Sequence, residues 1–285
     1  MVIDIHTHIF PDKIAASTLK TLSGKSHTKP FTDGTLSGLI ESMKNFGVDY
    51  SVILPVATKP EQVIKINDNA AQINEKFFDA GIISFAGIHP NFENFSGELN
   101  RVKNLGFKGI KIHPVYQNEN LDDKKFLRIF YRAAELDLIV ITHAGLDIGF
   151  PNVIRCTPKM ARHVVEEIGD FKFILAHVGG WKSWDEVATE LADVNIFIDT
   201  AFSTGLIPAK DNFYSAEEVQ MLDAENFMKL YKIFGADKIL FGSDSPWDSQ
   251  GTPIDFIKKL PIDDVDKEKI FGLNAAKLLN QSSIM

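Results

Sequence analysis

Val2-Ile3-Asp4-Ile5-His6-Thr7-His8-Ile9-Phe10-Pro11 opens the chain and decides how the rest is read. Val2, Ile3 and Ile5 are β-branched, and Pro11 ends the run because it cannot donate to a sheet ladder. The stretch reads as a short strand carrying histidines at i and i+2. Side chains alternate along a strand, so His6 and His8 project from one face, about 7 Å apart along the chain and close enough to share one ion.

The same kind of apolar run returns at 50–56, 82–88, 107–113, 138–143, 171–177, 194–199 and 238–244. Between the runs, apolar residues recur at helical spacing. Leu36, Leu39, Ile40, Met43 and Phe46 are one such set, with Thr35 or Asp33 as N-cap and Gly47 as the stop. The runs are continuously apolar rather than alternating, which is the pattern of parallel strands covered on both faces. Eight strands, each followed by a helix, predict an α/β fold: a (β/α)8 TIM barrel forming a single domain over residues 1–285. An open doubly wound sheet is the alternative, but no strand-to-helix turn carries Gly-x-Gly-x-x-Gly. Residues 12–33 read as a short helix and a long exposed loop. Residues 205–223 read as an irregular connection, a lid or a short helical insert.

Composition narrows the function classes. Hydrophobic residues make up 45% and charged residues 24%, as in soluble globular proteins. The net charge of −8, with no Lys/Arg cluster, argues against nucleic acid as a partner. Cys156 is the only cysteine, so an internal disulfide is impossible, and its polar loop reads as incidental rather than nucleophilic. The N-terminal stretch is broken by Asp4, His6 and His8, unlike a signal peptide, and no run approaches a membrane span. A cytoplasmic protein that does not enter membranes is expected.

Six of the eight histidines, namely His6, His8, His89, His113, His143 and His177, fall at the C-terminal ends of predicted strands. Asp244 takes the matching place on the last strand. In a barrel these ends converge on the face that carries the chemistry. A catalytic metal needs three or four protein ligands and an open position, and His143 and Asp244 can join His6 and His8. Three neutral imidazoles and one carboxylate leave a divalent ion about one positive charge, enough to acidify a bound water towards pKa ~7. His177 precedes Gly179-Gly180 and suits acid–base work beside the metal. His89 and His113 each precede a proline and are candidates for pocket lining or a second metal. Lys111, two residues before His113, is a noteworthy strand lysine whose ordinary explanation is an ion pair.

Asp4-Ile5-His6-Thr7-His8, Gly109-Ile110-Lys111-Ile112-His113-Pro114, Thr142-His143-Ala144-Gly145, Ala176-His177-Val178-Gly179-Gly180 and Phe241-Gly242-Ser243-Asp244-Ser245-Pro246-Trp247 together resemble the amidohydrolase superfamily. Within it they resemble the "amidohydrolase 2" branch, with its aminocarboxymuconate-semialdehyde decarboxylase-like enzymes. The closing segment 272–279 is similar to that branch's C-terminal helix. The resemblance implies a (β/α)8 barrel with one catalytic divalent metal, commonly zinc. It makes His6, His8, His143 and Asp244 the ligands, and His177 the residue that orients or deprotonates the activated water. Some superfamily members bridge a second metal with a carbamylated lysine, where this chain offers Lys111; His177 would then become a ligand.

The leading expectation is a metal-dependent hydrolase in which activated water attacks an amide, ester or lactone, with Asp244 or His177 moving the proton. The alternative keeps the site and changes the reaction to non-oxidative decarboxylation of a small aromatic or unsaturated acid. That substrate would want a cation for its carboxylate, and Arg155 is the candidate. A barrel that binds without turnover is the third reading, and it predicts damage to the ligand set. Tyr116, Trp181 and Trp247 fall in predicted strand-to-helix loops and are candidate pocket walls for a small molecule. An exposed aromatic loop could also serve a homodimer.

Overall fold

A computed structural model of the protein describes residues 1–280. The last five residues of the expected 1–285 domain lie outside the described residues. The strands, in chain order, are β1 (Ile3–Thr7), β2 (Tyr50–Ile53), β3 (Ile82–Ser84), β4 (Ala86–Gly87), β5 (Gly109–Ile112), β6 (Ile139–Thr142), β7 (Phe173–Leu175), β8 (Phe197–Asp199) and β9 (Ile239–Leu240). The chain divides into two compact units, each discontinuous in sequence. The first comprises Met1–Ile53, Ile148–Pro151 and Asp199–Met285, and the second Leu54–Asp147 and Asn152–Ile198.

In the first unit β1 is flanked on both sides. Ile3 lies opposite Tyr50 and Asp4 opposite Ser51 in a parallel register with β2. On the other side, the Ile5 N–H donates to the Phe241 carbonyl at 2.9 Å and the Asp244 N–H to the His6 carbonyl at 2.8 Å. All five β1 residues are buried, the polar Asp4 and His6 alternating with the apolar Ile3 and Ile5. The helix Leu36–Phe46 is set by its ends: the Thr35 hydroxyl accepts from the Gly38 N–H, and Gly47 closes it at φ 69°. Its Leu39 and Met43, one turn apart, are buried.

In the second unit β4, β5, β6, β7 and the Phe197–Ile198 part of β8 pair in parallel, each with the next in sequence. The helix Lys124–Glu135 shows why the segments between strands are helical. Phe126, Ile129, Phe130 and Ala133 form one buried stripe, and the Asp123 carboxylate accepts from the Lys125 N–H at the N-terminus. Phe130 packs against Phe173 on β7 with ring centroids 5.9 Å apart. Gln117 ties the loops by donating from Nε2 to the carbonyls of Ala57 and Ile88.

Four details differ from the reading of the sequence. The run 82–88 is divided at Phe85 into β3 and β4. The segment after Pro11 is a fifteen-residue helix, Asp12–Ser26, rather than a short one. Residues 205–223 contain no helix. They are pinned instead by backbone pairing of Thr204 with Leu222 and Leu206 with Gln220. Finally, the C-terminal helical stretch is interrupted by a wide turn at Lys269–Leu273. A Cβ at Gly272 would lie 2.6 Å from the Met1 carbonyl oxygen, so the chain there hugs the N-terminus. No described helix is long and apolar enough to cross a membrane.

Candidate metal centre

The first unit brings three donors to one point. His6 Nε2 lies 3.1 Å from His8 Nε2 and 3.4 Å from Asp244 Oδ1, and His8 Nε2 lies 3.2 Å from the same oxygen. Bonds of about 2.1 Å place neighbouring donors about 3.4 Å apart in a tetrahedron and about 3.0 Å apart in an octahedron. The separations observed span those two values. The donor set therefore fits a divalent cation.

The two elements that carry these donors are locked by a buried carboxylate. Asp4 Oδ1 accepts from the backbone N–H groups of His6 at 3.1 Å and Ser243 at 3.0 Å. Asp4 Oδ2 accepts from Ser243 Oγ at 2.6 Å and Gln250 Nε2 at 2.8 Å. Burial still pushes Asp4 up to about 7, against the opposing pull of those hydrogen bonds. Asp244 itself adopts φ 67°, a left-handed conformation uncommon for a non-glycine residue.

The second unit holds another cluster, His113, His143 and Asp147, each buried. His113 Nε2 lies 3.4 Å from Asp147 Oδ2, and its ring stacks on His143 at 4.3 Å and on Tyr116 at 3.9 Å. His143 Nδ1 is 3.0 Å from His177 Nε2. His177 and the β-branched Val178 both have positive φ, 61° and 54°, so the backbone turns sharply where the strand ends. The His177 carbonyl accepts from Trp184 Nε1 and from the Gly180 N–H.

Hydrogen bonding separates the two clusters. His6 Nδ1 donates to Asp199 Oδ2 at 2.8 Å, which leaves a lone pair on Nε2 facing His8 and Asp244. His113 Nδ1 instead accepts from the Tyr116 N–H at 3.4 Å, which puts the ring proton on Nε2, facing Asp147. These tautomers are assigned from the partners. The first cluster presents lone pairs to a cation; the second presents a proton at His113.

The other expected residues are distributed as follows. His143, expected as the fourth ligand, and His177 belong to the second unit, with Lys111, His113 and His89. Lys111 is buried on β5. His89 accepts the Asn91 N–H at Nδ1, and burial lowers its pKa, favouring the neutral ring. Arg155 donates to the side-chain carbonyls of Asn118 and Asn120. Trp181 is buried, with Lys182 Nζ 5.5 Å above its ring. Trp247, in the first unit, is half-buried and donates its N–H to the Asp244 carbonyl. Burial pushes the Cys156 thiol up to about 12, so it stays protonated.

Asp4, Asp199 and Asp147 were missed in the reading of the sequence. For Asp199 the signal was present: it is a carboxylate at the C-terminal end of an apolar run, like Asp244. Asp4 shares parity with His6 along β1 and with His8 just beyond its end. Asp147 had no such signal, because it lies in an irregular loop.

The parallel strand–helix order and a likeness to solved structures define the class: an α/β protein with the (β/α)8 barrel fold. An uncharacterised TIM-barrel protein from Bordetella bronchiseptica matches with a TM-score of 0.71 and 16% identity, covering 99% of each chain. The amidohydrolase family model matches residues 3–281, and the chain belongs to that family of enzymes. Two further solved structures carry named activities. The 5-carboxyvanillate decarboxylase of Sphingomonas paucimobilis has a TM-score of 0.68 and 15% identity, covering 99% of each chain. A dihydroxybenzoic acid decarboxylase of a Polaromonas species, solved with manganese and 2-nitroresorcinol, has a TM-score of 0.66 and 16% identity, covering 99% of this chain and 98% of that one. No curated protein matches the chain. The expectation of a hydrolase is corrected by these neighbours, whose reaction is the loss of carbon dioxide.

Proposed function

We propose that the chain is a metal-dependent, non-oxidative decarboxylase of a small aromatic carboxylic acid. One observation carries the reading: the buried His6 and Asp244 and the half-buried His8 place their donors at ion-sized separations, in a chain whose fold is shared with aromatic-acid decarboxylases. Two imidazoles and a carboxylate suit zinc, the ion expected from the resemblance, and equally the manganese of the Polaromonas neighbour. The proposal takes residues 1–285 as one catalytic domain with one divalent ion.

When bound, the ion supplies Lewis-acid stabilisation of negative charge on a substrate oxygen. His6, His8 and Asp244 hold it. Decarboxylation breaks one carbon–carbon bond, releases carbon dioxide and requires one proton at the carbon left behind. We assign that proton to His177. Its Nε2 shares a hydrogen bond with His143 Nδ1, so a proton can be held or passed between the two rings.

The test is a product assay with the metal-loaded protein. Dihydroxybenzoates and 5-carboxyvanillate are compared with aryl esters, lactones and amides, and carbon dioxide release is measured beside hydrolysis. Release of carbon dioxide that stops on chelation and returns with manganese or zinc is expected. Hydrolysis without carbon dioxide, or release indifferent to chelation, overturns the proposal.

A further inference from the structure

We propose that Asp199 is the positioning residue that makes His6 a metal ligand, by holding the imidazole proton on Nδ1 and so leaving the Nε2 lone pair to the ion. The inference rests on the metal-binding part of the function proposed above and not on which reaction follows. His6 is 1% exposed and Asp199 not at all, and their 2.8 Å contact is isolated from water. Each carboxylate oxygen of Asp199 has its own donor. Oδ2 accepts from His6 Nδ1, and Oδ1 accepts from the Ala201 N–H at 3.0 Å. The carboxylate therefore cannot swing away without abandoning a backbone donor inside the core.

The approach is built into the chain. His6 lies on β1 and Asp199 at the end of β8, with Gly242, just beyond β9, between them. A Cβ on Gly242 would meet the His6 Cβ at 3.1 Å and the Asp199 Cβ at 3.4 Å, tighter than or at the edge of ordinary contact. The missing side chain opens the gap across which carboxylate and imidazole meet. A histidine that donates from one nitrogen to a carboxylate is a stronger metal ligand at the other, and loss of such a partner typically costs 10–100-fold in affinity. His8 and Asp244 complete the donor set, and Asp199 acts through His6.

The experiment compares the parent full-length protein with Asp199→Asn and Asp199→Leu. Manganese and zinc dissociation constants are measured by competition with a chromophoric chelator, and the melting temperature of each metal-free protein is recorded. Asp199→Asn keeps the shape and an acceptor but loses the charge. We expect it to bind metal about 10–100-fold more weakly than the parent, with the metal-free melting temperature close to the parent's. Asp199→Leu should bind more weakly still. A purely structural role predicts the reverse for Asp199→Asn: a lowered metal-free melting temperature and a dissociation constant within twofold of the parent's. That result overturns the proposal alone. Absence of metal binding by the parent itself overturns both this proposal and the metal-dependent function.

Discussion

Ser243 Oγ donates to Asp4 Oδ2 at 2.6 Å, joining two residues 239 positions apart in the chain. The bond places Asp244 beside His6, because each partner is next to or one step removed from a candidate metal donor. Asp4 also accepts from Gln250 Nε2, which in turn donates to Ser51 Oγ at 3.1 Å on β2. The geometry of the donor set is thus inherited from a buried carboxylate whose two oxygens are taken up by four hydrogen-bond donors.

Replacing Asp4 by Ala strands four donors inside the first unit: the His6 and Ser243 N–H groups, Ser243 Oγ and Gln250 Nε2. Each unsatisfied buried group costs about 1–3 kcal/mol before relaxation. Asp4→Ala should lose roughly 3–5 kcal/mol of stability in urea denaturation, at the high end of single substitutions. Ser243→Ala, which removes one bond, should lose about 1–2 kcal/mol. Equal, small losses in both variants would show that the network does not hold the site.

His6 and His177 are predicted to fail differently. His6→Ala removes a proposed ligand, so the purified protein should carry little metal and turn over at least about 1,000-fold more slowly. His177→Gln removes the proposed proton carrier and keeps His6, His8 and Asp244. It should retain a full metal complement while kcat falls about 100–10,000-fold. Metal analysis beside steady-state rates distinguishes the two. Loss of metal in His177→Gln would place that residue among the ligands instead.

Asp248 is buried within the first unit, and burial, with the nearby Asp244 charge, raises it to about 7. Its carboxyl accepts from the Ser249 N–H at 2.7 Å. The folded-state pKa exceeds the unfolded value, so its contribution to stability is complete below about pH 4 and is lost as pH rises through about 7. Asp248→Asn cannot ionise. In metal-free protein its stability relative to the parent should rise by roughly 1 kcal/mol per pH unit between pH 4 and 7, then level off. Parallel pH–stability curves for parent and variant would refute the ionisation.

Gly145 allows two loops of the second unit to pack. It adopts φ 83°, and a Cβ there would lie 2.2 Å from the Trp181 backbone nitrogen. The Trp181 N–H donates to the Ala144 carbonyl at 2.9 Å, so the contact is main chain against main chain and cannot yield by a rotamer change. Gly145→Ala should destabilise by about 3 kcal/mol or more, or prevent soluble expression. A melting temperature within 2–3 °C of the parent's, roughly what less than 1 kcal/mol shifts in a chain of this size, would contradict this reading.

Much of this was legible in the sequence because it depends on local rules. Continuous apolar runs mark parallel strands covered on both faces, helical spacing marks the segments between them, and Thr35 and Gly47 mark the ends of one helix. Strand parity alone put His6 and His8 on one face, and their ring nitrogens lie 3.1 Å apart. The order of the motifs pointed to the family. What lay beyond reach was whatever depends on partners distant in sequence. No pattern in one strand announces that Asp199 will face His6 from 193 positions away, or that Gly242 will leave the space for it. No spacing rule assigns the His113 proton to the side facing Asp147. Strand periodicity settles which face a side chain takes. Which nitrogen of a histidine carries the proton is settled by the acceptor packed against it, and only the tertiary structure supplies that acceptor.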